Sequence, residues 1–351
     1  MTPSRHAAFH RLRVAALEPA ADDAVALTLD VPEELREEFR WRAGQHVTFN
    51  GDDGVRRSFS ICTPPSSGLL RVGVRRLPGG HFSGKVLDTL HPGDELEVMT
   101  PVGGFTPEIE PGSARHHVLV AAGSGITPLL SIAAALLEGE PRSTVTLVRA
   151  DRTAGSVMLL DDVADLKDVH VDRFRVVQLL SREPRDVELL SGRLDGERLG
   201  RLCAAMLDPV DEWYLCGPQA MVAELTATLH GRGARSVRSE LFHADPVPRA
   251  VVPETVAAGA ARVTVRLDGR STTFPLEPGG EPVLDAALRV RPEMPFACRG
   301  GVCGTCRARL LEGTVAMDAR WALEDDEVAG GHVLTCQAHP TSAEVVLDYD
   351  A

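Results

Sequence analysis

Four cysteines near the end of the chain are the residues whose type and spacing point most directly to chemistry. They stand as Cys298-x4-Cys303-x2-Cys306, and Cys336 follows after twenty-nine further residues. Three sulfurs thus come from one short glycine-rich loop and the fourth from a distant segment, which is the plant-type spacing for the thiolate ligands of a [2Fe–2S] cluster. Glycines let backbone N–H groups approach the bridging sulfides without Cβ clashes. The cysteines therefore predict a centre that transfers single electrons.

Two other interpretations of these cysteines compete with the cluster. A structural zinc site with four cysteine ligands usually draws on two short cysteine pairs, and only Cys303 and Cys306 form a C-x-x-C pair here. Four unrelated buried cysteines would need no metal at all. The spacing favours the [2Fe–2S] cluster over both.

A second group of residues suits a flavin. In Arg57-Ser58-Phe59-Ser60, the arginine would neutralise a phosphate, the aromatic ring would stack on the isoalloxazine, and the Ser60 hydroxyl would hydrogen-bond N5, the atom that accepts hydride. Gly79 and Gly80 precede a predicted helix that contains Ser83, and free N–H groups at a helix start attract a pyrophosphate. Taken alone, the tetrapeptide is ordinary strand sequence and the glycine pair an ordinary turn.

A third group suits a nicotinamide nucleotide. Gly123-Ser124-Gly125-Ile126-Thr127-Pro128 stands between a predicted strand and helix, although it lacks the third glycine of the usual dinucleotide fingerprint. Cys216-Gly217-Pro218 ends a later strand, and Ser181-Arg182 follows another. Serine and arginine there would hold the 2′-phosphate of NADPH, whereas NADH sites favour an acidic residue. The simpler alternatives are a packed cysteine and a solvated loop.

The elements that must position these residues fall into three blocks. Residues 1–112 are predicted to form an antiparallel, flavin-binding β-barrel with one helix between Gly80 and Leu90, because short β-type runs alternate with Gly and Pro turns. Residues 113–243 alternate apolar strands with helical stretches, which predicts a doubly wound parallel α/β sheet that binds NADP. Residues 244–261, rich in Pro, Ala and Val, are predicted to be a linker. Residues 262–351 are predicted to form an α+β, β-grasp ferredoxin domain with a helix at Val283–Val290.

Composition restricts the class of protein further. The chain has 351 residues, 44% hydrophobic residues and a formal net charge of −13, so no basic stripe for nucleic acid is expected. No apolar run approaches the roughly 18 residues of a membrane span, and the N-terminus shows no signal peptide. Seven cysteines, four of them needed as thiolates, fit a reducing compartment and predict a cytoplasmic location. The acidic run 324–327 is expected to be a solvated face, or alternatively to steer docking to a basic partner.

The order of these motifs resembles the ferredoxin–NADP reductase family fused to a plant-type ferredoxin, and the resemblance covers essentially the whole chain. The series is R-x-[FY]-S, G-G-x-x-S, G-x-G-x-T-P, S-R, C-G-P and then Glu240-Leu241-Phe242, before the ferredoxin cysteines. Longer stretches, including 9–14, 186–193 and 322–327, are similar to reductase subunits that serve a di-iron oxygenase of aromatic-ring epoxidation. The resemblance implies electron flow from NADPH through FAD and [2Fe–2S] to an oxygenase partner.

The resemblance also implies roles for individual residues. Thr127 and Cys216 would flank the nicotinamide, Glu240 would handle charge nearby, and Phe242 would cover the flavin until the nicotinamide replaces it. Phe105 would shelter the adenine half of FAD, which favours FAD over FMN. The chain departs from the family pattern in having Phe59 where many relatives have Tyr, and in lacking an Asn-Arg pair before residue 152.

Two alternative functions remain open at this point. The first keeps the chemistry and changes the partner: a reductase for a Rieske-type oxygenase such as steroid 9α-hydroxylase. The second belongs to another class, a non-enzymatic iron–sulfur redox sensor. The flavin and nucleotide motifs argue against the sensor, since a sensor needs neither.

Overall fold

The computed structural model describes residues 8–243, 260–277 and 279–351. The chain divides into two compact units, Phe9–Phe242 and a C-terminal unit that begins at His243. The predicted linker, 244–261, lies outside the described residues except for Ala260 and Ala261. None of the helices within the described ranges is long and apolar enough to span a membrane.

The first part of the larger unit is an antiparallel barrel, as predicted. Its six strands follow the order β4-β3-β6-β1-β2-β5, and a bridge between Ile61 and Val72 joins the two outer strands. The elements are β1 (Phe9–Ala21), β2 (Ala24–Asp30), β3 (His46–Asn50), β4 (Arg56–Ser60), β5 (Leu70–Arg75), α1 (His81–Asp88) and β6 (Glu95–Val102).

The barrel strands form because apolar and polar residues alternate along them with a period of two. On β1, Leu12 and Val14 are buried while Arg11 and Arg13 are exposed. Apolar side chains such as Val47, Val72 and Phe82 complete one core inside the barrel. This core holds the flavin motif of β4 on a rigid strand rather than on a loop.

The second part of the larger unit is a five-stranded, fully parallel sheet in the order β11-β10-β7-β8-β9. The first strand, β7, lies between β8 and β10, so the strand order reverses at β7. The carboxyl ends of β7 and β10 are therefore the switch point at which such folds bind ligands. The elements are β7 (His116–Ala122), α2 (Ile126–Gly139), β8 (Thr144–Asp151), α3 (Leu160–Val169), β9 (Phe174–Leu180), α4 (Gly196–Leu202), β10 (Glu212–Cys216), α5 (Gln219–Gly231) and β11 (Val237–Glu240).

The C-terminal unit is an α+β fold, as predicted. Its main sheet has the order β13-β12-β18-β14-β16, in which only β12 and β18 are parallel, and β15 pairs with β17 separately. The apolar face of α6 packs with the sheet in one core. The elements are β12 (Ala261–Leu267), β13 (Arg270–Leu276), α6 (Val283–Val290), β14 (Arg307–Glu312), β15 (Val315–Met317), α7 (Asp325–Ala329), β16 (His332–Leu334), β17 (Ala338–Pro340) and β18 (Glu344–Asp348).

Candidate redox sites

The loop that carries three of the cysteines runs from the end of α6 to the start of β14. Arg299, Gly301 and Gly304 have positive φ angles of 54°, 74° and 70°, so the backbone repeatedly adopts a conformation that suits glycine. A methyl group at Gly301 would lie 3.4 Å from Ala319 Cβ. The loop is therefore tightly wound and closely covered by a neighbouring segment.

The four thiols associate as two pairs, Cys298 with Cys303 and Cys306 with Cys336. The Cys303 thiol, together with backbone N–H groups of the loop, lowers the pKa of Cys298 to about 6, and the Cys306 thiol lowers the pKa of Cys336. The Gly300 N–H donates to Cys298 Sγ at 3.4 Å. Two thiol pairs surrounded by N–H donors fit a two-iron cluster with two thiolates per iron.

A mononuclear zinc site would need a different arrangement. Within residues 8–243, 260–277 and 279–351, no group of three or more His, Cys, Asp or Glu side chains could hold one metal ion. The pairwise arrangement of the four sulfurs therefore supports the [2Fe–2S] interpretation over zinc.

A compact polar group lies where the barrel meets the switch point of the parallel sheet. Cys216 and Glu240 are register partners on β10 and β11. The Ser60 hydroxyl at the end of β4 donates to Glu240 Oε2 at 3.0 Å, and both residues are buried. Thr127, also buried, is the second residue of α2 and donates to the Ser124 carbonyl at 3.0 Å. The structure thus brings together Ser60, Cys216 and Glu240, which the sequence predicted only separately.

Burial determines the protonation of this group. Desolvation raises the pKa of Glu240 to about 8, against a smaller opposing effect of the Ser60 hydrogen bond. Desolvation, and then the Glu240 charge, raise the pKa of the Cys216 thiol well above its usual value. Both side chains are therefore protonated at neutral pH. Glu240 is a buried acid that still holds its proton, next to the hydroxyl predicted to contact the flavin.

Close backbone contact fixes the geometry of the switch point. A methyl group at Gly125 would lie 2.1 Å from the Cys216 carbonyl oxygen, so only glycine permits the two strand ends to approach so closely. Gly123 has a φ of 56°, which again suits glycine. These two positions account for the glycines of the G-x-G-x-T-P motif.

The residues of the flavin motif on β4 have protein partners that the sequence did not reveal. Arg57 binds both carboxylate oxygens of Asp53, at 2.9 and 2.6 Å. The Ser58 and Thr48 hydroxyls are 2.9 Å apart. Phe59 packs against the rings of Phe49 and Phe82 but is only partly buried. The predicted contacts of this strand with a flavin stay predictions. For Arg57 to bind a flavin phosphate, its guanidinium group would have to release the Asp53 carboxylate.

The glycine turn before α1 borders a cavity of about 650 Å³. Gly79 has a φ of 71° and Gly80 immediately precedes α1. The Ser83 hydroxyl, however, accepts from the Leu77 N–H at 3.1 Å and donates to the Gly80 carbonyl at 3.2 Å. Ser83 is buried and holds the turn in shape, and the predicted contact of its side chain with a cofactor stays a prediction.

A larger cavity, of about 760 Å³, lies along the carboxyl edge of the parallel sheet. Its lining includes Gly123, Ser181, Arg182 and Pro218, as the motifs predict. The Ser181 N–H donates to the Asp151 carbonyl at 2.9 Å, and the Arg182 N–H donates to the Arg152 carbonyl at 2.8 Å. The two neighbouring strand ends are thereby locked side by side.

Four further arginines line this cavity and were not predicted as site residues, and two of them, Arg75 and Arg76, pair with Asp23 and Asp88. Arg152 and Arg193 line it together with Arg182, and none of these three guanidinium groups has a carboxylate partner among the residues that the structure describes. The signal for Arg193 was present, because it ends one of the stretches that carry the family resemblance. Unpaired guanidinium groups in one cavity are suited to a phosphate-bearing ligand.

The two aromatic residues with predicted roles lie in opposite environments. Phe105 is 7% exposed and packs edge-on against Tyr214, with ring centroids 6.0 Å apart. This packing leaves almost none of the ring exposed, and the predicted shelter for an adenine stays a prediction. Phe242 is 43% exposed at the end of the larger unit, which argues against a purely core role for it.

Comparison with known proteins identifies the class. Family models match for an oxidoreductase FAD-binding domain at residues 11–106, an oxidoreductase NAD-binding domain at 119–226 and a 2Fe-2S iron-sulfur cluster binding domain at 265–341. The chain belongs to the ferredoxin–NADP reductase family of oxidoreductases with a C-terminal ferredoxin domain, and it transfers electrons as the reductase component of an oxygenase system. The three matched domains correspond to the predicted cofactors, which are FAD, a [2Fe–2S] cluster and the co-substrate NADPH.

Individual relatives extend over the whole chain. One is a subunit of the 1,2-phenylacetyl-CoA epoxidase of Escherichia coli (strain K12), which is 40% identical over 98% of both chains. Another is the ferredoxin reductase component of 3-ketosteroid-9-alpha-monooxygenase of Rhodococcus rhodochrous, which is 31% identical over 96% of both chains. Among solved structures, phthalate dioxygenase reductase is 25% identical with a TM-score of 0.58, covering 97% of this chain and 98% of its own.

Proposed function

We propose that this chain is the reductase subunit that supplies electrons to a di-iron oxygenase of phenylacetyl-CoA ring epoxidation, in phenylacetate degradation. The observation that carries the proposal is the 40% identity, over 98% of both chains, to a protein named as a subunit of that epoxidase. The steroid monooxygenase reductases are 31% identical over a similar length. FAD bound in the barrel would accept hydride from NADPH and release electrons singly to the [2Fe–2S] cluster.

The flavin site is proposed to include the β4 motif and the turn at Gly80. Ser60 directs its hydroxyl into the space where the barrel, α2 and β11 meet, and Glu240 accepts its hydrogen bond there. Because Glu240 is protonated at neutral pH, the buried pair carries no net charge, and the Ser60 hydroxyl stands beside the proposed flavin without a neighbouring carboxylate. Thr127 and Cys216 shape the adjoining edge, and Phe242 is proposed to cover it.

The nucleotide is proposed to bind in the 760 Å³ cavity along the carboxyl edge of the sheet. Gly123, Gly125, Thr127 and Pro128 would form the floor beside the nicotinamide, with Cys216, Gly217 and Pro218 opposite. Ser181 and Arg182 would bind the 2′-phosphate, supported by the unpaired Arg152 and Arg193. Three guanidinium groups without carboxylate partners favour a ligand with an extra phosphate, and therefore NADPH over NADH.

Cys298, Cys303, Cys306 and Cys336 are proposed as the cluster ligands, and the site of action is proposed to be the cytoplasm. Purified protein should contain about two irons and two acid-labile sulfides per chain. Cys303→Ser should lose the cluster but retain NADPH-driven reduction of ferricyanide, since that reaction needs only the flavin. One zinc per chain without sulfide would refute the ligand assignment.

The partner is tested by reconstitution. The purified chain, NADPH and the phenylacetyl-CoA epoxidase subunits should consume phenylacetyl-CoA, whereas a Rieske-type steroid 9α-hydroxylase oxygenase in place of those subunits should support little turnover. Preference for the Rieske enzyme would establish the alternative partner. Absence of NADPH–ferricyanide activity in protein that contains FAD would instead favour the redox sensor.

A further inference from the structure

We infer that the two residues flanking Cys336 form a clamp that positions the distant fourth sulfur on the cysteine loop. The inference rests on the proposed role of Cys336 as a cluster ligand. Cys336 stands between β16 and β17, and Cys306, the nearest loop cysteine in sequence, is separated from it by twenty-nine residues. No covalent link holds the two segments together, so their alignment depends on hydrogen bonds and packing.

Thr335 forms one arm of the clamp. Its side chain is completely buried, and its hydroxyl donates to the Cys306 carbonyl at 3.0 Å, the same carbonyl that accepts the Thr335 backbone N–H at 3.2 Å. The Tyr349 hydroxyl in turn donates to Thr335 Oγ1 at 2.7 Å. Because Tyr349 follows β18, the C-terminal strand fixes the orientation of the threonine. This arm aligns Cys336 with Cys306, the partner in its thiol pair.

Gln337 forms the other arm. Its Nε2 donates to the Arg299 carbonyl at 2.8 Å and to the Cys336 carbonyl at 3.0 Å, and Cys336 Sγ is a third, longer acceptor at 3.7 Å. A methyl group at Gly301 would come within 3.1 Å of Gln337 Cγ, so the glycine makes room for the glutamine to cross the loop. This arm ties Cys336 to the start of the loop, next to the Cys298–Cys303 pair.

The two arms have different chemical consequences. The Thr335 arm acts on position, because it restrains two backbone segments and touches no sulfur. The Gln337 arm also acts on charge, because the positive end of its amide dipole lies 3.7 Å from a ligand sulfur and stabilises the more negative, reduced cluster. We therefore assign both as positioning residues, and we assign Gln337 the additional effect of raising the reduction potential of the cluster.

The test uses the full-length protein with its cofactors. Thr335→Val removes the hydroxyl with little change in volume, and Thr335→Ser restores it. Thr264→Val is the matched control, because Thr264 also makes a hydroxyl–hydroxyl contact, 2.8 Å from Thr273, in the same unit but away from the cysteines. Since one neutral hydrogen bond corresponds to about two- to tenfold in an equilibrium, we expect cluster loss under chelator to be about two- to tenfold faster in Thr335→Val and unchanged in the other two. Tyr349→Phe should show a smaller acceleration.

Gln337→Leu is measured by redox titration and by EPR of the reduced cluster. The expected result is a lower midpoint potential and an altered g-tensor, with iron and sulfide content equal to that of the unmodified protein. Unchanged potential, EPR spectrum and cluster lifetime in both Gln337→Leu and Thr335→Val would overturn the clamp. Loss of thermal stability without those changes would also overturn it, because it would show a packing role only. An unmodified protein without two irons and two sulfides would instead refute the ligand assignment on which the clamp rests.

Discussion

A glutamate is buried at each edge of the parallel sheet, and the pKa values of the two carboxyl groups are shifted in opposite directions. At the amino edge, Glu140 is fully buried and accepts hydrogen bonds from Arg115, from His117 at 3.0 Å, from Ser143 at 2.7 Å and from the Glu110 N–H at 3.0 Å. Burial by itself would raise the pKa of Glu140, but these donors outweigh it and hold the pKa at about 2. At the carboxyl edge, Ser60 is the only side-chain donor to Glu240 among the residues that the structure describes, and the pKa of Glu240 rises to about 8.

The number of hydrogen-bond donors to each buried carboxyl group decides whether that group stabilises the fold or destabilises it. A buried carboxylate whose oxygens are all paired with donors contributes to a rigid edge, whereas breaking such a network leaves an uncompensated charge. A buried carboxyl with one donor is a cost to the fold. In this chain that cost falls at the switch point, beside the proposed flavin and nucleotide sites, and perturbed carboxyl groups of this kind cluster at functional sites.

The largest expected effect is at the amino edge. Glu140→Gln replaces a charged acceptor by an amide and leaves Arg115 and His117 with a poorer partner, so unfolding free energy should fall by about 3–5 kcal/mol. The depressed pKa means that the carboxylate stabilises the fold above its unfolded pKa and that this stability is lost as pH falls towards 2. The variant should therefore also show a flatter dependence of stability on pH in this acidic range. Denaturant titrations at several pH values measure the unfolding free energy and its dependence on pH. Glu34→Gln, at an exposed position, is the control.

The same substitution at the carboxyl edge should act in the opposite direction. The raised pKa of Glu240 means that stability is present below the unfolded pKa of about 4.5 and declines as pH rises towards 8. Glu240→Gln should therefore stabilise the protein by about 3 kcal/mol at pH 7, and it should slow hydride transfer from NADPH. Equal effects of the two glutamate substitutions on stability would contradict the comparison.

A third substitution tests whether a residue at the carboxyl edge binds the nucleotide without stabilising the fold. Arg182→Ala should raise the KM for NADPH by about ten- to a hundredfold, with little change for NADH, because one charge-assisted bond to the 2′-phosphate corresponds to about 1.5–3 kcal/mol. Melting temperature should not change. Arg175→Ala is the matched control, since Arg175 is exposed near the start of β9, the strand whose end Arg182 follows. Equal KM values for the two coenzymes in the unmodified protein would exclude the 2′-phosphate role.

The smallest expected effect is at Phe242. If the ring stacks on the flavin, its removal costs about 0.5–1.5 kcal/mol, so Phe242→Ala should bind NADP⁺ more tightly, relax the preference for NADPH and slow turnover through delayed product release. If the ring only packs in a core, stability should instead fall by about 3–5 kcal/mol, with coenzyme preference unchanged. NADP⁺ titrations and melting curves on the one variant distinguish these results.

Local patterns predict the architecture well. Alternating residues specify the barrel strands, and continuous apolar runs such as 118–122 specify the buried parallel strands. The longest barrel strand, Phe9–Ala21, alternates clearly in its first half, but its second half includes Glu18 and Pro19 and lacks a clear period, so its full length is not recognisable from the pattern. The order of the elements then determines the switch point, so the general place of the nucleotide site follows from the sequence.

Pairings between distant residues cannot be predicted in the same way. Nothing local to Phe105 shows that it packs against Tyr214, and nothing local to Glu140 shows that Arg115 and His117 converge on it. Even the near pair of Arg57 and Asp53, four residues apart, escapes prediction because the turn between β3 and β4 brings them together. Partners that depend on three-dimensional packing change the pKa, burial or ion pairing of a residue, and the sequence around that residue does not reveal them.

The hydrogen bond between Ser60 and Glu240 joins residues that are 180 positions apart. During synthesis the barrel strand that carries Ser60 leaves the ribosome long before the strand that carries its acceptor, and domains generally fold as their chain emerges. The barrel can therefore reach its final shape while this part of its surface is still incomplete. The proposed flavin site is completed only when the last parallel strand adds to the sheet, so a chain interrupted before Glu240 would have a folded barrel and no finished site.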